Sequence, residues 1–247
     1  MKIVLNILTH GNELIGLKVA SELQKLNIAN DILKVHIANK EAYKKGVRFI
    51  DKDLNRSFPG NIKGNYEEKL AIKISPIIKN ADIVLDIHST TSGLKDAVII
   101  TKLDRETQKY LDIISPKYVL LMAGNKSDAL ISQAKVGLAF EYGNENNPKV
   151  VTKIINDIKT LLAALGLIED VKSLKRKTNY FKIEKEVQKP VGYKLLPTIK
   201  NFKLIKKGEK FAKLNDNYLK AKKDFYPILF GEENYETIFG FEGIKIK

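Results

Sequence analysis

The feature that most constrains the fold is a regular alternation of short apolar runs and helical patterns over the first 170 residues. The runs are rich in β-branched residues and have the length of buried strands. They cover residues 2–8, 31–38, 81–87, 97–101, 118–122 and 136–140. Apolar residues at helical spacing lie between them, in residues 13–26, 66–78, 108–114 and 148–165. This alternation predicts an α/β fold with a mixed, largely parallel sheet flanked by helices.

The character of the sequence changes after about residue 170. Residues 172–177 are highly charged, and beyond them short alternating segments such as 180–187 and 225–230 are separated by turn residues. Such a pattern is typical of a small all-β unit. We therefore predict two domains, a larger one over residues 1–170 and a small β-rich one over residues 171–247.

The composition limits the chemistry that the chain can perform. It contains no cysteine, which excludes disulfides, thiolate ligands and a cysteine nucleophile, so a bound metal would need histidine and carboxylate ligands. No apolar run is long enough to span a membrane. The first residues lack the pattern of a cleavable signal peptide, and we therefore expect a cytoplasmic protein.

The net charge of +14 is the one unusual feature of the composition. The lysines are spread along the chain, with modest clusters in residues 172–177, 206–210 and 220–223. No cluster is interleaved with aromatic residues, which argues against nucleic acid as a partner. A generally positive field would instead attract small anionic substrates.

Two of the three histidines directly follow predicted strands. His10 comes after the first strand and His88 after another, and ligands of parallel α/β folds bind at the carboxyl ends of strands. Glu13 follows His10 by three residues, at the start of a predicted helix. Two imidazoles and a carboxylate with one open position are typical of catalytic zinc, although either histidine alone is more often a surface residue. His36 lies inside a strand, and we expect it to pack there.

Residues 39–65 form a connection that is long for a compact domain and rich in Gly, Asn, Asp and Pro. Long irregular loops are usually functional. This one contains Arg48 and Arg56, two of the four arginines of the chain, with Asn55 next to the second. A guanidinium suits a carboxylate or an oxyanion, although both could be surface charges. Glu141 ends a strand, where it could be a general base or a structural ion-pair partner.

Four segments resemble, in order, the motifs of the succinylglutamate desuccinylase and aspartoacylase family, a branch of the zinc carboxypeptidase-like hydrolases. The segments are His10-Gly-Asn-Glu13, Asp53-Leu-Asn55-Arg56-Ser-Phe58, Asp86-Ile-His88-Ser-Thr-Thr91 and Phe-Glu141-Tyr-Gly143. The resemblance covers residues 1–170, which it implies are a zinc hydrolase catalytic domain with the zinc-carboxypeptidase-like fold. Residues 226–236 extend it more weakly.

The resemblance implies a role in metal binding or catalysis for five residues. His10, Glu13 and His88 match the ligands of one zinc ion. Glu141 matches the catalytic base, which activates the attacking water and then gives the proton to the leaving amine. Arg48 matches the arginine that polarises the scissile carbonyl and stabilises the oxyanion.

Further matches concern the substrate and the surroundings of the metal. Asn55 and Arg56 match the pair that binds a substrate carboxylate, and Tyr235 matches, less securely, a tyrosine from the C-terminal domain. Asp53 and Asp86 resemble residues that order the ligands or the loop.

The sequence departs from the family pattern at one point. Aspartoacylases have a further substrate-binding arginine shortly before the catalytic glutamate, whereas residues 125–138 contain no arginine, and their cations are Lys126 and Lys135. This difference argues against acetyl-aspartate as the substrate.

The sequence therefore predicts a zinc-dependent hydrolase that cleaves the amide bond of an N-acyl amino acid or a similar carboxylate-bearing amide. The alternative is a zinc metallocarboxypeptidase that acts on a peptide, with the same metal chemistry but a more open pocket. A third interpretation is a basic binding protein that has lost catalysis, against which the intact set of matched ligands and Glu141 argues. The oligomeric state stays open, and a homo-oligomer is compatible with the sequence.

Overall fold

The computed structural model describes residues 1–90, 94–122, 128–144, 146–172, 175–232 and 235–247. The helices are α1 (Ile15–Gln24), α2 (Lys40–Lys45), α3 (Tyr66–Lys79), α4 (Arg105–Ile114) and α5 (Pro148–Ala164). The strands are β1 (Ile3–Ile7), β2 (Leu33–Ile37), β3 (Ile83–His88), β4 (Ala97–Ile100), β5 (Tyr118–Leu121), β6 (Val136–Glu141), β7 (Asn179–Gln188), β8 (Lys194–Leu195), β9 (Lys210–Leu214), β10 (Asn217–Lys220), β11 (Tyr226–Ile228) and β12 (Ile238–Lys245). Short 3-10 turns lie at Leu54–Arg56 and Leu130–Gln133.

Nine of these strands form one sheet in the order β11-β12-β7-β5-β4-β6-β3-β1-β2. Strands β2, β1, β3 and β6 are parallel neighbours, and so are β4, β5 and β7. Strand β4 is antiparallel to β6, and β11 and β12 are antiparallel additions at one edge. A second, antiparallel sheet has the order β10-β9-β8. The predicted α/β fold with a mixed, largely parallel sheet is thus confirmed.

The large sheet continues past residue 170. Strand β7 follows that position and pairs in parallel with β5, and β12 pairs with β7. The C-terminal part therefore contributes strands to both sheets, while β8, β9 and β10 form the small sheet. The division into domains at residue 170 stays a prediction about folding units.

The two faces of the large sheet carry separate cores, because successive side chains of a strand point to opposite sides. On one face, alternate residues of β1 and β3 pack with α1, α4 and α5. On the other, the remaining apolar residues pack beneath α3. The same alternation places Asn6, Asp86 and His88 on the face covered by α3, with Glu141 reaching it from β6. No helix of the described residues is long and apolar enough to cross a membrane.

Residues 39–65 are more ordered than a long irregular loop, because they contain α2 and the turn at Leu54–Arg56. Glu67, in the first turn of α3, is fully buried beneath this segment. Its carboxylate accepts hydrogen bonds from the backbone N–H groups of Ile50, Asp51 and Lys52, at 2.7–3.1 Å. These bonds satisfy the buried charge and hold the segment against α3.

Candidate active site

The ends of β1 and β3 bring together three side chains that could hold a metal ion. The ligand atoms of His10, Glu13 and His88 lie within 4.8 Å of one another, and all three residues are buried. The Glu13 Oε1 atom lies 2.7 Å from Nδ1 of His10, and its Oε2 atom lies 3.0 Å from Nδ1 of His88. Both imidazoles thus direct the same ring nitrogen at one carboxylate.

A second carboxylate lies behind each of these imidazoles. The Nε2 atom of His10 is 3.0 Å from Oδ1 of Asp53, and the Nε2 atom of His88 is 2.8 Å from Oδ2 of Asp86. A carboxylate on the far ring nitrogen fixes the tautomer and the ring orientation, and it leaves the near nitrogen to bind a metal. Asp53 and Asp86 thus each contact the imidazole of one candidate ligand.

The electrostatics between the three side chains favour positive charge. Burial lowers the pKa of His88, but the carboxylates of Asp86 and Glu13 outweigh it and hold this pKa well above the usual value. Burial raises the pKa of Glu13, but the charges of His10 and His88 outweigh it and hold this pKa well below the usual value. Carboxylates that raise the pKa of both imidazoles also suit a divalent cation, which would replace their Nδ1 protons.

The backbone between the first two of these residues needs a glycine. A Cβ atom at Gly11 would lie 2.3 Å from the backbone carbon of Ala42 in α2. The N–H of Gly11 donates to the carbonyl oxygen of Arg48 at 3.0 Å. Any side chain at Gly11 would therefore push α2 and the segment with Arg48 away from His10 and Glu13.

Glu141 lies beside this group because β6 pairs with β3 in a register that sets it opposite His88. Its Oε2 atom is buried and accepts no hydrogen bond from the described residues. Burial raises the pKa of Glu141 to about 7, against the lowering effect of the positive charge on His88. A carboxylate with a free oxygen and a pKa near neutrality is suited to accept a proton and return it.

The residue after Glu141 anchors the end of β6 on the opposite side. Tyr142 is buried and donates a hydrogen bond from its hydroxyl to Oδ2 of Asp157 at 2.7 Å. The same carboxylate pairs with Lys153 and with Arg176, each at 2.7 Å. Arg176 belongs to the C-terminal part, which is thereby tied to α5 behind the candidate base.

Arg48 lies at the entrance of the site. Its Nη1 atom is 3.1 Å from Oε1 of Glu13, and its Nη2 atom is 3.3 Å from Oδ2 of Asp53. Burial lowers the pKa of Arg48, but the two carboxylates outweigh it and raise this pKa. The side chain is still 43% exposed, so a substrate oxygen could reach the guanidinium.

A cavity of about 90 Å³ joins these residues to the candidate substrate-binding residues. Arg56 donates from Nη1 to the backbone oxygen of Asn55 at 2.8 Å, and no carboxylate of the described residues pairs with it. The Asn55 Oδ1 atom accepts the N–H of Leu130 at 3.0 Å, which leaves the amide nitrogen of Asn55 to donate. Tyr235 packs edge-on against Phe241 and lines the same cavity.

The remainder of the cavity wall is largely apolar. The apolar residues that line it are Ile99, Met122, Ala129, Ile131, Ala139, Leu229 and Phe241. They come from both the central strands and the C-terminal part, so the lining combines charged and apolar side chains.

One of the two lysines near the missing arginine, Lys135, lies away from the cavity. Lys135 precedes β6 and pairs with Asp82 at 2.9 Å, at the edge of the sheet opposite the site. Glu141 lies six positions further along the chain, which corresponds to about 20 Å of strand. Lys126 lies outside the described residues. Thr91, the last residue of the third motif, also lies outside them.

The sequence analysis missed two residues next to Asp86. Its Oδ1 atom accepts hydrogen bonds from Nδ2 of Asn6 and from Oγ1 of Thr9, both at 2.8 Å. A signal was present, since Asn6 is a polar residue in the middle of an apolar run. Glu67 gave no comparable signal, because acidic residues are common in the first turn of a helix.

The fold and the site together define a class of α/β protein with a His-Glu-His group that could hold a metal ion and a free carboxylate at the ends of its central strands. The chain belongs to the succinylglutamate desuccinylase/aspartoacylase family. Residues 2–165 match the family profile described as "Succinylglutamate desuccinylase/Aspartoacylase catalytic domain". The family predicted from the four motifs is thus confirmed.

Relatives and solved structures extend the comparison. A "Probable aspartoacylase" of Nostoc sp. is 30% identical over 154 residues, which are 55% of this chain and 52% of the relative. A human "N-acyl-aromatic-L-amino acid amidohydrolase (carboxylate-forming)" is 25% identical over 213 residues, 74% of this chain and 65% of the relative. The crystal structure of murine aminoacylase 3 has a TM-score of 0.83 at 19% identity and covers 100% of this chain and 95% of that chain. The matches thus span about half to two thirds of the curated relatives, and the structural likeness shows a shared fold.

Proposed function

We propose that the protein is a zinc-dependent amidohydrolase that releases the acyl group of an N-acyl amino acid or a similar carboxylate-bearing amide. One observation carries this proposal: the Nδ1 atoms of His10 and His88 and the carboxylate of Glu13 converge beside the free carboxylate of Glu141. Imidazole and carboxylate ligands with an open position are what catalytic zinc requires.

The test combines metal analysis with a substrate panel. The purified protein should hold about one zinc per chain. It should release free amino acids from a panel of N-acetyl and N-succinyl amino acids, and a chelator should abolish this release. If the zinc-loaded protein hydrolyses no member of the panel, the proposed activity is wrong.

The reaction divides into steps performed by the side chains of the protein. Zinc held by His10, Glu13 and His88 would supply a Lewis acid for the amide carbonyl and would acidify the attacking water. Glu141 accepts a proton from that water while the water oxygen bonds to the carbonyl carbon. Glu141 then delivers the proton to the amine nitrogen as the C–N bond breaks. Arg48 donates hydrogen bonds to the carbonyl oxygen as negative charge develops on it.

Substrate orientation is the role of the polar side chains that line the cavity. The amide nitrogen of Asn55 and the guanidinium of Arg56 are free to donate to a substrate carboxylate. Leu229, Tyr235 and Phe241 of the C-terminal part line the same small cavity. A cavity narrowed in this way supports a small N-acyl amino acid over the peptide substrate of a metallocarboxypeptidase, which needs an open groove.

The names of the relatives agree on the reaction and differ in the amino acid. One is named as an aspartoacylase and the other as an N-acyl-aromatic-L-amino acid amidohydrolase. These names support deacylation by this chain. The amino acid of the preferred substrate is inferred from the residues that line the cavity of this chain.

The substrate carboxylate should contribute strongly to catalysis through Arg56. A charged hydrogen bond is worth about 1.5–3 kcal/mol, so the carboxamide of a substrate should react about ten- to a hundredfold less efficiently than the free acid. The measurement is kcat/KM for the same substrate in both forms. In Arg56→Ala this preference should largely disappear, whereas Arg105→Ala, at the exposed start of α4, should keep it. Equal efficiency of acid and carboxamide in the wild type would contradict the role of Arg56.

Acetyl-aspartate should be a poor substrate, and acetyl derivatives of neutral or apolar amino acids should be preferred. A second substrate carboxylate needs a second cation, and the cavity wall away from Arg48 and Arg56 is largely apolar. An ammonium would not reproduce the bidentate fork of an arginine, and Lys135 lies at the other edge of the sheet. The measurement is kcat/KM for acetyl-aspartate, acetyl-glutamate, acetyl-leucine and acetyl-phenylalanine. A clear preference for acetyl-aspartate would show that the missing arginine does not determine specificity.

A further inference from the structure

A polar row crosses three neighbouring parallel strands of an otherwise apolar part of the sheet. Asn6 of β1 is in register with His36 of β2 on one side and with Asp86 of β3 on the other. The remaining residues of β1 are all apolar and buried. A buried asparagine in such a strand costs stability unless its hydrogen bonds are satisfied.

Hydrogen bonds connect the members of this row into a chain that ends at a candidate metal ligand. His88 Nε2 lies 2.8 Å from Asp86 Oδ2, and Asp86 Oδ1 accepts from Asn6 Nδ2 at 2.8 Å. On its other side, Asn6 Oδ1 lies 2.8 Å from Nδ1 of His36. Because the Oδ1 atom of an amide can only accept, the proton of this last bond belongs to the His36 ring.

The Asn6 amide directs its nitrogen at Asp86 and Thr9 and its oxygen at His36. An amide that was turned over would point its oxygen at the Asp86 carboxylate, where two acceptors would repel each other, and its nitrogen at His36. The donor on His36 favours the orientation in which Asn6 donates to Asp86. Burial, with the charges of Lys34 and Lys40 adding to it, lowers the pKa of His36 to about 4. The ring is therefore neutral near pH 7, and its one proton is on Nδ1.

We propose that His36 and Asn6 are positioning residues of the metal site, which hold Asp86 so that His88 keeps its Nδ1 atom directed at the metal. The proposal rests on the zinc site of the proposed function. It gives His36 a role beyond the packing expected of a histidine inside a strand. Neither residue touches the metal or the substrate, so each acts through Asp86.

The effect should appear in the affinity for zinc, because outer hydrogen-bond partners of metal ligands affect metal binding by about 10- to 100-fold. His36 is the better position to test, since it is only half-buried on the edge strand β2, whereas Asn6 is fully buried and its replacement endangers the fold. His36→Phe keeps a flat ring but removes the donor. His36→Asn places an amide N–H near the former Nδ1 position and should restore the bond.

The experiment measures the dissociation constant of Zn²⁺ at neutral pH by competition with a chelator of known affinity. His36→Phe should bind Zn²⁺ about tenfold more weakly than the wild type, at the lower end of that range because His36 is two partners away from the ligand. His36→Asn should recover most of the affinity. Lys34→Gln, an exposed change on the same strand, should leave the affinity unchanged. Thermal unfolding of the zinc-free variants provides the control for the fold.

The outcomes separate this inference from the proposed function. Tight binding of Zn²⁺ by the wild type and equal affinity in His36→Phe would refute the inference and leave the proposed function intact. Equal losses in His36→Phe and His36→Asn would show that the donor does not matter, which also refutes it. A wild-type protein that binds no Zn²⁺ would refute both. The inference is supported if His36→Phe binds Zn²⁺ more weakly, His36→Asn and Lys34→Gln do not, and the thermal stability of the zinc-free variants is unchanged.

Discussion

Glu141→Gln should lower kcat/KM by about a hundred- to ten-thousandfold, the usual contribution of a positioned general base. Glutamine has nearly the same shape as glutamate, but it cannot accept a proton from water or return one to the amine. Since Glu141 contacts neither imidazole through a hydrogen bond, the zinc content should not change. The measurements are steady-state kinetics and metal analysis of the same preparation.

The pH profile gives an independent readout of the same residue. A base has to be ionised, and burial raises the pKa of Glu141 to about 7. The rate should therefore fall as the pH drops through this pKa, and a bound cation would shift the fall to lower pH. The residual activity of Glu141→Gln should lack this acid limb. Turnover near the wild-type level in the variant would mean that another residue is the base.

The sequence was sufficient to predict which edge of the sheet carries the candidate site, because that depends on local order along the chain. His10, His88 and Glu141 each end or follow a strand, and the carboxyl ends of parallel strands meet at one edge of a sheet. Glu13 lies near His10 because the turn between them is short. These relations predict the edge of the sheet, whereas the contact between the side chains also needs β1, β3 and β6 to be neighbours.

The pairing of distant strands could not be predicted in this way. Nothing in residues 97–100 shows that β4 is antiparallel to β6, and nothing in residues 179–188 shows that β7 pairs with β5 rather than with a separate sheet. An alternating pattern predicts which face of a strand is buried, but it does not predict which strands lie next to it. The tertiary packing decides those neighbours.

The hydrogen bonds that hold the site residues and the neighbouring loop in place could not be predicted from sequence patterns either. Glu67 holds the backbone of residues 50–52, and Asn6 contacts Asp86 across 80 positions of the chain. Each is an ordinary polar residue until the fold supplies its partner. The asparagine was the more visible of the two, since an apolar strand seldom carries a polar residue without a satisfied hydrogen bond.

His88→Ala should reduce the zinc content from about one per chain to near zero, because three protein ligands are the usual set for catalytic zinc. Activity should be lost with the metal. Glu141→Gln is the matched control, since it should lose turnover and keep zinc, whereas His88→Ala should lose both.

The fold should survive the loss of this imidazole, and that makes the comparison possible. Asp86 is 1% exposed, and without His88 its Oδ2 atom loses a partner, which costs about 1–3 kcal/mol. Its Oδ1 atom still accepts from Asn6 and Thr9, so the carboxylate stays hydrogen-bonded. Zinc content is therefore measured by elemental analysis on material whose cooperative thermal unfolding shows that it is folded. Full zinc content in folded His88→Ala would show that the metal is held elsewhere, and the assignment of His10, Glu13 and His88 would be wrong.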